Sequence, residues 1–129
     1  MRRLKTKRWN DAAEPDDGLR LLVTRYRPRG LKKADETWEL WFKELGPSEE
    51  LLADFHGKGP SGRPIEWSDY EERYLKEMEL QRPRIESLAR HVNEGQALTL
   101  LCSSACEDPT RCHRFLLKRL VEDAAKASR

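Results

Sequence analysis

The three cysteines of the chain lie within one short segment and are its most evident chemical groups. Cys102 ends an apolar run, Cys106 follows in a stretch rich in Ser, Asp and Pro, and Cys112 precedes apolar residues at helical spacing. This pattern predicts a strand, a loop and a helix. A helix N-terminus stabilises a thiolate, so Cys112 is the candidate for a reactive thiol. Cys102 is expected to be a small core residue, as buried cysteines usually are.

His113 and Arg114 follow Cys112 directly and would occupy the first turn of the last helix. Free N–H groups and the positive end of the helix dipole favour an anion there, and both side chains add donors or charge. The sequence therefore indicates an anion site that includes Arg114, with Cys112 and His113 as catalytic candidates. His56, at the end of an earlier helical segment, is a further candidate for proton transfer. The alternative is that Thr110 caps the helix and Arg114 is solvated.

An arginine cluster follows the second predicted strand, which spans residues 19–26 and stops at Pro28. Its members are Arg25, Arg27 and Arg29. Guanidinium groups bind phosphate or carboxylate in bidentate geometry. Ligands of α/β sheets bind beyond the carboxyl ends of the strands, so we expect these arginines to lie near Cys102 and His113. Surface ion pairs with the acidic middle of the chain are the alternative.

Metal binding is a minority interpretation of the cysteine segment. Cys106, Cys112 and His113, with Cys102 or His56 as a further ligand, would offer the soft thiolate and imidazole ligands that suit zinc or iron. However, no paired Cys-x2-Cys spacing is present, and the adjacent Cys112 and His113 would point apart on a helix. The Cys-x5-Arg loop of thiolate phosphatases is not matched either, since six residues beyond Cys102 stands Asp108. We therefore favour no metal site and no required cofactor.

The elements that position these residues alternate between strands and helices. Apolar patterns predict strands at residues 4–9, 19–26 and 97–102, and helices at 35–45, 48–56, 83–95 and 112–126. A further helix is predicted to begin at Ser68, which forms a capping box with Glu71. Residues 37–45 would also suit a strand. Strands separated by long helical segments imply parallel pairing, so we predict one α/β domain over residues 1–129, with a small, mainly parallel sheet flanked by helices in a three-layer, Rossmann-like arrangement.

The composition restricts the class of protein and the cellular compartment in which it is expected. The 129 residues are 37% charged, yet four Trp, three Tyr and three Phe supply the large apolar groups that a core needs. No stretch is apolar enough to span a bilayer, and three cysteines are an odd number for a disulfide framework. These features predict a cytoplasmic protein with no membrane partner. Residues 1–33 carry eleven Lys or Arg and four Asp or Glu, which would suit a nucleic-acid surface.

Several short motifs together resemble a known family. They are Arg27-Pro28-Arg29-Gly30, Pro47-Ser48, Phe55-His56-Gly57, Leu98-Thr99-Leu100-Leu101-Cys102 and Cys112-His113-Arg114. With them the chain resembles the YeaO-like bacterial proteins, domain-of-unknown-function family 488, over nearly its whole length. The resemblance implies a cytosolic α/β domain of bacterial type and carries no established reaction or catalytic residue.

The residues thus favour an anion- or phosphate-binding cleft at the carboxyl ends of the strands, acting on a phosphorylated metabolite or a nucleic-acid end. One alternative is a nucleic-acid-binding module that uses the basic N-terminal third. The other is a metal or redox sensor built on the cysteines and histidines.

Overall fold

A four-stranded, all-parallel sheet organises the computed structural model, which describes residues 3–128. The strands are β1 (Leu4–Arg8), β2 (Leu19–Leu22), β3 (Leu40–Trp41) and β4 (Leu98–Cys102), in the order β1-β4-β2-β3. Leu98 pairs with Leu4 on one side and with Leu19 on the other. All five residues of β4 are buried, as expected of a central parallel strand. The predicted α/β fold with a small parallel sheet is confirmed.

Four α-helices connect or follow the strands: α1 (Glu49–Phe55), α2 (Trp67–Met78), α3 (Arg82–Asn93) and α4 (His113–Ala127). Short 3-10 turns lie at Lys33–Asp35, Lys43–Leu45, Glu79–Gln81 and Pro109–Arg111. Helix α4 packs on β1 and β4, and it also contacts α2 and α3. Gly95 follows α3 with a φ of 90°, a conformation that suits glycine at a helix end. The predicted helices at 48–56, 83–95 and 112–126 are therefore present.

The predicted helix over residues 35–45 is wrong. This segment instead begins at the end of one 3-10 turn and contains β3 and the 3-10 turn at Lys43–Leu45. The Glu39 N–H donates to the Arg20 carbonyl at 2.8 Å and the Phe42 N–H to the Leu22 carbonyl at 2.9 Å, so edge pairing with β2 satisfies backbone groups that a helix would have satisfied internally. The Trp41 indole N–H also donates to the Thr24 carbonyl, at 2.8 Å. Pairing with the sheet overrides the helical spacing of the aromatic residues.

Two other element boundaries differ from the predictions. Strand β2 ends at Leu22 rather than near residue 26, and the Val23 N–H makes one further bond, to the Leu101 carbonyl at 3.0 Å. Helix α2 begins at Trp67 with Glu66 in the N-cap position and no side-chain cap, so the capping box predicted at Ser68 is absent. The earlier end of β2 leaves the arginines that follow it on a loop.

The two faces of the sheet are covered differently. Leu4, Leu21, Val23, Leu98 and Leu100 belong to the main core, together with buried residues of the helices. On the opposite face, Thr99 donates to the Asp17 carbonyl at 2.8 Å and Arg20 donates to the Thr37 carbonyl at 2.7 Å. The second face is therefore held by a buried polar network rather than by apolar packing alone.

Ser48 starts α1 and links it to α2. Its hydroxyl accepts the Leu51 N–H at 3.1 Å and donates to the Glu77 carboxylate at 2.5 Å. We expect Ser48→Ala to lower the free energy of unfolding by about 1–2 kcal/mol, because it removes a helix cap and one bond to a carboxylate. Urea unfolding followed by circular dichroism measures this. Ser87→Ala, on the exposed side of α3, is the control and should shift stability by less than about 0.5 kcal/mol. Equal values for the two variants would contradict the capping role.

None of the helices within residues 3–128 has both the length and the apolar character needed to cross a membrane.

Candidate functional site at the carboxyl ends of the strands

A cavity of about 990 Å³ opens where β1, β2 and β4 end. Three segments at or just beyond the ends of these strands line it: Trp9 after β1, residues 24–29 after β2, and residues 102–108 with 111–113 at the end of β4 and beyond it. Leu52 and Phe55 of α1 and His56, which caps the end of that helix, also line the cavity. This is where parallel α/β sheets bind their ligands, because loops from neighbouring strands converge there.

Most of the side chains that the sequence singled out line this one cavity. They are Arg25, Arg27, Arg29, His56, Cys102, Cys106, Cys112 and His113. Arg114 is the exception, since it is buried and is not among the lining residues. The predicted approach of the arginine loop to Cys102 and His113 is thus observed, while the catalytic and binding roles of these residues remain predictions.

The three cysteines converge at the floor of the cavity. Their sulfur atoms all lie within 4.8 Å of one another, and the Sγ atoms of Cys102 and Cys112 are 3.0 Å apart. All three are free thiols, because the separation exceeds the roughly 2.05 Å of a disulfide bond. Cys102 and Cys112 are buried, and Cys106 is half-buried. The cluster includes Cys102, which the sequence offered only as a further ligand, and it does not include His113.

Hydrogen bonding within the cluster distributes its charge unequally. The neighbouring thiols of Cys102 and Cys112, with the nearby charge of Arg114, lower the pKa of Cys106 to about 3 despite its partial burial. The pKa of Cys102 is raised well above its usual value by the neighbouring Cys106 and Cys112 and by burial. The neighbouring Cys102 lowers the pKa of Cys112, but Cys106 and burial outweigh this effect and raise that pKa to about 12. The most stabilised thiolate is that of Cys106.

His113 is an internal support of the site. It is buried, its Nε2 lies 2.8 Å from the Val23 carbonyl oxygen, and its ring centroid is 5.7 Å from that of Tyr74. Burial lowers its pKa to about 4, so the ring is neutral near pH 7 and Nε2 carries the proton that Val23 accepts. The lone pair at Nδ1 then faces the Cys112 sulfur, 3.9 Å away. His113 thus joins the start of α4 to the end of β2.

Arg114 lies behind the cavity rather than on its wall. It is 5% exposed, and its Nε has no hydrogen-bond partner among residues 3–128. Its charge acts on Cys106 and on Asp11, whose pKa values it helps to lower. Burial of an arginine normally requires a nearby negative group, and the Cys106 thiolate is one such group.

The loop arginines differ in how firmly they are held. Arg25 donates to the Pro47 carbonyl at 2.9 Å and to the Gly46 carbonyl at 3.3 Å, which fixes it against the start of α1. Arg27 donates to the Glu36 carboxylate at 2.9 Å and to the Leu31 carbonyl at 2.8 Å. Arg29 is exposed and has no hydrogen bond or ion pair within the part of the chain that the structure describes. Arg25 and Arg27 are therefore preorganised, and Arg29 is available to a ligand.

Gly46 permits the close approach that seats Arg25. A Cβ atom at this position would lie 2.6 Å from the Arg25 backbone nitrogen and 2.9 Å from the Thr24 carbonyl carbon. No real side chain occupies such space without moving the backbone. The glycine thus sets the distance between the arginine loop and the start of α1 at the cavity wall.

Sequence reasoning missed several residues of the site. Arg111 lines the cavity as a further cation, and the acidic Glu107 and Asp108 line it as well. Aromatic rings of Trp9, Phe55 and Tyr70 also face it. The Pro109–Arg111 turn that directs Arg111 was signalled only by Asp108-Pro109, whose carboxylate accepts the Thr110 N–H at 3.0 Å. Trp9 gave no signal beyond its place at the end of a strand.

Part of the positive charge of the N-terminal third is paired with carboxylates within the fold. Lys5 and Lys7 lie 2.6 and 2.9 Å from Asp17 carboxylate oxygen, and Arg8 lies 3.1 Å from Asp11. Arg20 lies 2.5 Å from Asp17. Ion pairs of this kind leave less free charge for a phosphate backbone, so the nucleic-acid module that used this surface gains no support from the structure.

Comparison with known proteins shows that the chain is similar to one family and to several bacterial proteins. The family model DUF488-N3a, described as the active DUF488-N3 subclade, matches residues 4–125. The chain is 37% identical over 114 residues to the uncharacterized protein YeaO of Escherichia coli (strain K12), a match that covers 88% of this chain and 92% of YeaO. These matches confirm the resemblance that the motifs indicated.

Mycobacterial proteins are also similar. The uncharacterized proteins Rv3073c of Mycobacterium tuberculosis (strain ATCC 25618 / H37Rv) and Mb3100c of Mycobacterium bovis (strain ATCC BAA-935 / AF2122/97) are each 33% identical over 76 residues, which is 59% of this chain and 60% of theirs. No solved structure gives a significant match. None of these names states a reaction or a ligand.

Proposed function

We propose that this chain, which belongs to the DUF488-N3a family, binds a phosphate-bearing small molecule or nucleic-acid end in the cavity at the carboxyl ends of its strands. The observation that supports this most directly is the convergence of Arg25, Arg27 and Arg29 on one cavity with the cysteine cluster. The YeaO-like relatives supply no activity that would narrow the ligand further.

Charge at the cavity wall favours an anion. Four arginines line it, the three of the loop and Arg111, against the two carboxylates of Glu107 and Asp108 and the thiolate of Cys106. Arg114 adds a buried positive charge behind the floor. Guanidinium groups offer phosphate several donors in a fixed planar geometry, and each charge-assisted bond contributes about 1.5–3 kcal/mol. The arrangement therefore suits a ligand with a terminal phosphate better than a neutral one.

The shape of the cavity indicates that the ligand is more than inorganic phosphate. About 990 Å³ is at the upper end of the range of small-molecule sites, and aromatic rings of Trp9, Phe55 and Tyr70 line it. These rings provide apolar surface for the organic part of a phosphate monoester or for a base. His56, exposed at the end of α1, lies at the same cavity and is the candidate proton donor or acceptor.

Binding of phosphate monoesters tests the proposal, with isothermal titration calorimetry of the whole chain as the measurement. The ligands are inorganic phosphate, a sugar phosphate, a nucleoside monophosphate and a 5′-phosphorylated dinucleotide. We expect Arg29→Ala to weaken binding about tenfold or more, since Arg29 has no structural bond to lose. Arg29→Lys should recover only part of the affinity, because an ammonium group lacks the bidentate geometry.

Arg90→Ala is the matched control. Arg90 is an exposed arginine of α3 that does not line the cavity, so its removal changes the net charge equally and should leave the affinity within about twofold. Equal weakening by Arg29→Ala and Arg90→Ala would mean that only net charge matters and would overturn the proposed site. Absence of binding to all four ligands would overturn the function itself.

A further inference from the structure

We propose that Cys102, Cys106 and Cys112 bind one zinc ion at the floor of the cavity. Their three sulfur atoms lie within 4.8 Å of one another. Sulfur ligands of one zinc, each at about 2.3 Å in tetrahedral directions, are about 3.8 Å apart. The observed cluster therefore needs only small side-chain rotations to accept the ion. This inference concerns the cysteines alone and does not depend on phosphate binding at the arginines.

The fold brings the cysteines together although their spacing in the sequence lacks the usual Cys-x2-Cys pair of a metal site. Cys102 is the last residue of β4, and its carbonyl accepts the Trp9 N–H at 2.8 Å. Cys112 is the N-cap of α4, and its carbonyl accepts the Phe115 N–H at 3.0 Å. Two elements in contact thus hold two ligands in place, and no Cys-x2-Cys pair is required to bring them together.

The third ligand comes from the loop between these elements. The Cys106 N–H donates to the Ser103 carbonyl at 3.1 Å, and this turn directs the Cys106 sulfur back toward the other two. Because Cys106 belongs to neither the strand nor the helix, it can adjust its position when an ion binds. Two fixed ligands and one adjustable ligand allow the sulfurs to reach tetrahedral geometry without distortion of the sheet.

The surroundings balance the charge of such a centre. Three thiolates and one zinc ion carry a net charge of about −1, which disfavours burial unless a positive group lies nearby. The buried Arg114 supplies that group, and the amino end of the fifteen-residue α4 adds the positive end of its dipole.

The ligand set leaves one coordination position for a non-protein ligand. The mutually close group includes three sulfurs and no histidine nitrogen, and Cys106 is half-buried at the cavity. Three protein ligands with an open fourth position are typical of catalytic rather than structural zinc sites. Zinc in this position would therefore meet the same ligand that enters the cavity.

Cobalt and zinc titrations of the purified chain test the site. The protein is prepared with a reductant and a chelator, the chelator is removed, and Co²⁺ is added. We expect one equivalent to produce thiolate-to-cobalt charge-transfer absorption, and one equivalent of Zn²⁺ to abolish it. Zn²⁺ should also protect the half-buried Cys106 thiol from alkylation, as measured by mass spectrometry, and release protons on binding.

Cys106→Ser is the most informative variant, because Cys106 lies outside the regular elements and its loss should leave the fold intact by circular dichroism. We expect it to weaken zinc binding at least about a hundredfold. Ser104→Ala, in the same loop and at the same cavity, is the control and should bind zinc as the natural chain does. An unprotected Cys106 thiol in the presence of zinc, or unchanged zinc affinity in Cys106→Ser, would overturn the proposal. Phosphate binding measured without metal reports separately on the arginine site.

Discussion

Asp17→Asn should lower the free energy of unfolding by about 3–5 kcal/mol, the expected cost of breaking a buried ion pair from one side. Asp17 is 1% exposed. Its carboxylate lies 2.6 Å from Lys5, 2.9 Å from Lys7 and 2.5 Å from Arg20. The amide of asparagine keeps the shape and one acceptor but removes the charge, so three cations lose their shared partner. Urea unfolding at pH 7 measures the loss.

The exposed neighbour provides the control for this prediction. The side chain of Asp16 is 78% exposed and pairs with Lys5 at 3.0 Å. Because exposed ion pairs contribute about 1 kcal/mol or less, Asp16→Asn should have a small effect. Similar destabilisation by both variants would show that the burial of Asp17 is not what makes its ion pairs important.

Protonation of the Asp17 carboxylate should contribute to unfolding of the chain in acid. Burial raises the pKa of Asp17, but hydrogen bonds from Lys5, Lys7, the Glu14 N–H and Arg20 outweigh it, and the folded pKa lies far below the usual 3.8. The unfolded chain therefore takes up a proton before the folded chain does. The contribution of Asp17 is complete above about pH 4 and is lost as the pH falls below that value. In Asp17→Asn this part of the pH dependence of stability, measured by urea unfolding, should be missing.

Sequence patterns predicted the fold wherever one physical requirement dominated. Strand β4 and helices α3 and α4 are continuous apolar patterns with clear ends at Gly95, Cys102 and Cys112, so local and tertiary preferences agree. The helix predicted over residues 35–45 was wrong because Trp38, Trp41 and Phe42 have helical spacing, whereas pairing of the backbone with β2 decides the structure of this segment. That pairing joins residues about twenty positions apart, and no local pattern reports it.

The candidate site was predicted only in part. The rule for parallel sheets brought the arginine loop to the cysteine segment, and both line one cavity. The inclusion of Cys102 in the thiol cluster depends on the path of residues 103–111, which composition shows only to be a loop. The burial of Arg114 and Asp17 was hidden because charged residues are usually exposed. Buried charge requires partners from distant segments, and sequence spacing does not reveal those partners.

His113→Ala should lower the free energy of unfolding by about 3–5 kcal/mol, the largest expected effect among residues of the site. It removes a large buried ring that packs on Tyr74 and leaves the Val23 carbonyl without its donor. His113→Phe retains most of the ring volume and removes only the hydrogen bond, so it should cost about 1–3 kcal/mol. Denaturant unfolding of metal-free protein at pH 7.5 compares the two. Equal effects would mean that packing of the ring on Tyr74 contributes nothing beyond the hydrogen bond to Val23.

The pH dependence of the stability of these variants distinguishes a structural role of His113 from a role in proton transfer. The folded pKa of His113 is about 4, below the usual 6.5, because burial disfavours the charged ring. Stability is therefore complete above about pH 6.5 and falls as the pH decreases toward 4, since only the unfolded chain takes up the proton. The stability difference between the natural chain and His113→Phe should narrow over this range. A ring that titrated near neutral pH in the folded protein would show no such narrowing, and it would return His113 to the role of a proton donor.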